Sequence, residues 1–197
     1  MKKVLLATAV LMALGSSSAM AVEGGRINFE GFVSVETCQK IVHSSVGDSD
    51  TDGTVTLETA HVGDITGEVQ AATVGVNEED FSIAINCKDA GTSPTTAHLS
   101  MSSTYGNTKG TLDNDETLSR NGVGAAKAVD IAIHRVDDTG TINQVKINDL
   151  STTLDQAFVD KVATYNFKAS YVKSSDANAE VTSGLVATNA TYTFTYE

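Results

Sequence analysis

Two cysteines, Cys38 and Cys87, carry the plainest chemistry in this chain. A pair of thiols can form a disulfide or, as thiolates, hold a metal. A structural metal site wants closely spaced ligands, and these two stand 49 residues apart with no companion cysteine. In an exported protein such an isolated pair reads as one disulfide. Closing a loop of that length stabilises by roughly 4 kcal/mol in the chain-entropy account. The segment Asp48-Ser49-Asp50-Thr51-Asp52-Gly53 begins like a calcium loop, with carboxylates at alternate positions and a glycine for the sharp turn. The full pattern needs Glu at position 59, which is Thr59; Glu58 is one short, and no helical periodicity flanks it. A solvated acidic hairpin loop is the reading, with calcium binding left open. Asp113-Asn114-Asp115-Glu116 reads the same way. His43, His61, His98 and His134 are scattered singly, and no G-x-S-x-G turn presents a nucleophile. The chain reads as no enzyme, with no catalytic residue, no metal and no cofactor. Asn189-Ala190-Thr191 matches a glycosylation acceptor by chance frequency.

The elements that must position these residues begin after a leader. Lys2 and Lys3, the apolar run Val4 to Leu14, and Ala19-Met20-Ala21 have the layout of a secretory signal peptide. Cleavage after Ala21 leaves enough chain for one domain with a real core. The apolar run is short of the roughly 20 residues a spanning helix needs, so no membrane insertion of the mature chain is expected. The formal charge is −12, and losing Lys2 and Lys3 makes it two units more negative. Nucleic acid and anionic lipid are thereby excluded as electrostatic partners.

The rest alternates apolar and polar residues in short runs separated by Gly, Asp, Asn and Ser clusters, with no Trp and one Pro. Expected strands are Arg26–Glu36, Thr54–Val62, Asp80–Cys87, Thr96–Thr104, Ala128–Val136, Thr141–Ile147, Val162–Val172 and Val186–Tyr196; Leu154–Val159 reads as one helical turn. The class is all-β, a sandwich. The two outer runs alternate most cleanly. Tyr192, Phe194 and Tyr196 share one face, with threonines on the other. Gly25, Ile27, Phe29, Gly31 and Val33 share a face opposite Arg26, Asn28 and Glu30, with Phe32 the apolar exception.

The run from Gly24 to Cys38 resembles the N-terminal signature of chaperone–usher pilins, the type 1-like fimbrial subunits: G-x-(V/I)-x-F-x-G-x-V, then a cysteine. Val129-Asp130-Ile131-Ala132-Ile133 followed by Asp138-Thr139-Gly140 resembles the family's central strand and turn. Asn166-Phe167-Lys168-Ala169-Ser170-Tyr171-Val172 resembles its F-x-A-x-Y strand. Phe194-Thr195-Tyr196-Glu197 resembles its last strand with a penultimate tyrosine, Glu standing where Gln is common.

That resemblance implies an incomplete immunoglobulin-like β-sandwich completed by donor-strand exchange. Residues 1–21 are then the removed leader, 22–36 a donor-strand extension running into the first strand, and 37–197 the pilin domain. Gly25, Ile27, Phe29, Gly31 and Val33 are implied to enter the groove of a neighbouring subunit, with Tyr192, Phe194, Tyr196 and Glu197 on the wall of the receiving groove. A periplasmic chaperone is implied to lend a strand there first, a basic pair gripping the carboxylate of Glu197, before an outer-membrane usher assembles identical or related subunits into an extracellular rod that supports adhesion. Two alternatives stand beside this shaft subunit: a minor or adaptor fimbrial subunit, and a non-polymeric periplasmic immunoglobulin-like binding module with a complete sandwich.

Overall fold

The computed structural model describes residues 38–50, 52–91, 93–151, 153–175 and 179–197. Twelve strands run in chain order: β1 (Gln39–Ser44), β2 (Gly47–Ser49), β3 (Val76–Asn86), β4 (Thr96–Ser102), β5 (Leu112–Asp113), β6 (Ser119–Arg120), β7 (Val123–Gly124), β8 (Val129–Val136), β9 (Ile142–Gln144), β10 (Leu154–Ala157), β11 (Val162–Lys173) and β12 (Thr191–Tyr196). A single 3-10 turn, Val62–Asp64, interrupts them among the described residues. The larger sheet has the order β2-β1-β3-β11-β8-β5, with β9 also on β8. The second sheet is β10-β4-β12, and β6 and β7 form a separate hairpin. The ladders between these strands are all antiparallel.

The core lies between the two sheets. Alternation along β11 sends Ala163, Tyr165, Phe167 and Ala169 inward, and all four are buried. They meet Ile83 and Ile85 of β3, Ile131 and Ile133 of β8, and Leu99 and Met101 of β4. Phe81 and Phe167 stack at 5.1 Å, and Tyr165 lies 6.3 Å beyond Phe167. The Tyr165 hydroxyl donates to Ala97 O at 2.7 Å, so a fully buried phenol joins the two sheets through one satisfied polar group. The outer face of β8 is buried as well. Segment 65–75 crosses it, with His134 Nε2 donating to Gln70 O at 2.7 Å and Lys173 N to Gly67 O at 2.8 Å.

Several expected elements change. Thr54–Val62 is no ladder strand. It is extended, keeps Val55 and Leu57 half-buried with threonines and Glu58 outside, and has no ladder partner among the described residues. Leu154–Val159 is β10 rather than a helical turn, because pairing Leu154 with Leu99 and Ala157 with Thr96 satisfies its main chain against β4. The last strand starts at Thr191, since 186–190 bonds elsewhere. Strand β1 was not expected: Gln-Lys-Ile-Val-His-Ser has no clean period, and its pairing with β3 imposes the conformation. Arg26–Glu36 lies outside the described residues.

Candidate functional site

Strand β12 stands at the edge of its sheet, paired with β4 alone among the described residues. Its phase follows from Glu197 and Thr96, which exchange both main-chain hydrogen bonds at 3.1 and 3.2 Å. Antiparallel partners alternate, so Thr195, Thr193 and Thr191 turn their main-chain groups toward β4. Those of Tyr192, Phe194 and Tyr196 turn the other way, away from β4. The side chains of the same three residues pack on the core and are half-buried, while the threonines are exposed. Phe194 sits 5.7 Å from Tyr165 and 5.7 Å from Tyr192.

Beside Tyr192, between segments 52–57 and 186–190, opens a groove of about 780 Å³. Ile83, Met101, Ile131 and Ala169 form its apolar floor. Segment 52–57 makes one wall, and 186–190 with Tyr192 the other. Gly53 crosses so close to β1 that a Cβ there would come within 2.3 Å of Val42 Cγ1. Thr54, Thr56 and Asn189 add polar groups to the groove walls. Asp52 and Arg120 stand at the margin, and the Thr188 hydroxyl is buried without a hydrogen-bond partner. Burial first, then the charge of Asp52, raises the Tyr192 pKa above its ordinary value, and the Lys40 ammonium lies 5.8 Å from the same ring. An apolar trough beside a strand edge can take a peptide in extended form, with main-chain bonds along β12 and side chains into the floor. No proton-transfer or nucleophilic constellation lines it.

The other residues singled out by sequence are accounted for. Cys38 and Cys87 form a disulfide with Sγ–Sγ 2.05 Å, just before β1 and just after β3. Glu197 does not stand free: its main-chain oxygen accepts from Thr95 N at 2.6 Å and the Thr95 hydroxyl at 3.2 Å. Asp48 is in β2, and its carboxylate meets His43 Nδ1 at 2.7 Å across the hairpin. Among the described residues no three His, Cys, Asp or Glu side chains converge as metal ligands. His98 pairs with Asp155 at 2.6 Å, and its Nε2 faces Glu197 Oε1 at 3.9 Å rather than a serine or a thiol. Gly25, Ile27, Phe29, Gly31 and Val33 lie outside the described residues. The sequence reading names Tyr192 for the groove and does not name 52–57, 186–190 or Arg120. The even alternation of Thr54–Val62 was the signal for one wall, read there as an ordinary strand.

The comparisons with known proteins agree with this geometry. The sequence profile described as "Fimbrial protein" matches residues 27–197. No curated protein is matched significantly by sequence. Among solved structures, a chaperone–usher pilus studied for rod uncoiling is similar at TM-score 0.55 and 18% identity, covering 89% of this chain and 96% of that one. The P pilus rod subunit PapA is similar at TM-score 0.51 and 18% identity, covering 75% of this chain and 94% of its own. At such identity these two likenesses speak for the fold alone, an immunoglobulin-like sandwich, whereas the profile spans the greater part of the sequence. The chain belongs to the fimbrial protein family and is a fimbrial subunit.

Proposed function

We propose that this chain is a structural subunit of a chaperone–usher pilus, polymerising by donor-strand complementation into a rod on the cell surface. Family membership carries the coarser part, a place among pilin subunits in an extracellular fimbrium. The finer part rests on one observation: a groove between an extended segment, 52–57, that has no ladder partner among the described residues and the stretch 186–190 that leads into the edge strand β12. The occupant is the run Gly25, Ile27, Phe29, Gly31 and Val33 of another copy. Burying Ile, Phe and Val there contributes roughly 1.5–3 kcal/mol each before ordering costs. Main-chain hydrogen bonds add affinity that tolerates sequence change, and alternate side chains fix the register. A periplasmic chaperone would hold the trough until an outer-membrane usher delivers the next subunit.

The test is expression of the full chain, with and without residues 23–33, beside a pilus chaperone, followed by unboiled SDS gels. An SDS-resistant, heat-labile ladder that requires residues 23–33 is expected. A monomer that forms no ladder and ignores an added peptide of residues 23–33 would identify a self-complete sandwich and end the proposal.

A further inference from the structure

We infer that Asn114 is the positioning residue of the groove wall formed by 185–190, an inference that rests on the donor-strand reading of the groove. Its sequence context, Asp113-Asn114-Asp115-Glu116, reads as a solvated acidic cluster, yet Asn114 is 7% exposed. Its amide nitrogen donates to Ala126 O at 2.8 Å and to Leu185 O at 2.9 Å. Its Oδ1 accepts from Ala187 N at 2.9 Å. One side chain therefore uses both donors and its acceptor on main-chain groups of two separate segments.

The main chain around it follows the same plan. Asp115 N donates to Ala187 O at 3.0 Å, Leu185 N to Gly124 O at 2.9 Å, and Ala126 N to Leu185 O at 2.9 Å. Gly184 lets the segments touch, since a Cβ there would come within 2.3 Å of Ala126 N. The wall ends at Ala190, where β12 begins, so Asn114 determines where the strand edge and the side chains of Val186 to Ala190 present themselves. No other described side chain bonds to Leu185 or Ala187. Aspartate at this position keeps the acceptor for Ala187 N but offers the two carbonyls no proton; alanine loses all three contacts.

The experiment follows capture of a fluorescent peptide of residues 23–33 by the full chain, together with amide hydrogen exchange. For Asn114→Ala, capture about tenfold weaker is expected, with faster exchange at Leu185 and Ala187 while β11 amides stay protected. Asn114→Asp is expected to fail likewise at pH 7 and to recover as the pH falls toward about 5, where a protonated carboxyl regains one donor; Asp113, Asp115 and Glu116 flank it and favour that proton, opposed by Lys127 on the facing segment. A variant that is merely destabilised would not recover in acid. Capture by both variants at the wild-type level, with unchanged exchange at Ala187, would overturn the role of Asn114 and leave the donor-strand reading intact. Failure of the wild-type chain itself to capture the peptide would overturn both.

Discussion

Removing the Cys38–Cys87 disulfide tests how far this fold depends on a covalent tie, and its magnitude can be worked from the structure. The bond closes a loop with a sequence separation of 49. Restricting the unfolded chain by that loop is worth about 4 kcal/mol at room temperature. The native contacts beside it survive its removal, because β1 is held to β3 through the register from Gln39↔Asn86 to His43↔Ser82. The loss therefore reports the entropy of the unfolded chain and not a broken ladder. Both cysteines are replaced together, C38A/C87A, so that no free thiol remains. With a urea slope of about 2 kcal/mol/M the unfolding midpoint should fall by about 2 M. Circular dichroism is the probe, since the chain has no Trp. Reductant should lower the wild-type midpoint by the same amount and leave the double variant unmoved. A midpoint that drops by less than about 0.5 M would refute the reasoning, and would mean that the unfolded chain is already restricted in this region.

Other substitutions probe the core and one turn. Tyr165→Phe deletes the hydroxyl that reaches Ala97 O and should cost about 1 kcal/mol in urea unfolding. Burial raises the Tyr165 pKa far above its ordinary value, so its contribution is whole below about pH 10 and is lost as the pH rises beyond it; the phenylalanine variant should lack that part of the alkaline decline. Asp130 is buried, with its carboxylate accepting hydrogen bonds from the Thr111 hydroxyl at 2.8 Å and the Asn107 amide at 2.9 Å. Burial, the largest cause, raises its pKa, so the folded chain binds that proton more tightly than the unfolded one and stability falls as the pH rises through the carboxylate range. Asp130→Asn should gain on the wild type between pH 4.5 and 7.5 in urea midpoint; a widening deficit at pH 7.5 would contradict this. Asp160 and Lys161 both hold positive φ, 49° and 63°, in the two-residue turn between β10 and β11, where Val159 and Val162 exchange hydrogen bonds at 2.9 Å. Asn-Gly suits that turn, so D160N/K161G should raise stability by about 1 kcal/mol, read as a higher melting temperature.

Alternation is a local property, and by itself it determined the all-β class and the inward set Tyr192, Phe194 and Tyr196. Periodicity also marked Thr54–Val62, because Val55 and Leu57 must be covered whichever main chain lies beside them. Whether that run has a ladder partner is decided by what stands across from it, and only the tertiary arrangement supplies that: β12 pairs with β4, 52–60 pairs with no strand among the described residues, and a groove lies between 52–57 and 186–190. Strand β1 shows the reverse, a sequence without period made a strand by its place beside β3. Asn114 makes the point at a single residue. In sequence it is one polar letter among carboxylates, and its burial comes from segments near positions 126 and 187 that meet only in the folded chain. A disulfide between two lone cysteines needed no such information, since an exported chain with two thiols has one intramolecular pairing. A groove is a relation between distant segments, and no local pattern encodes the distance between them.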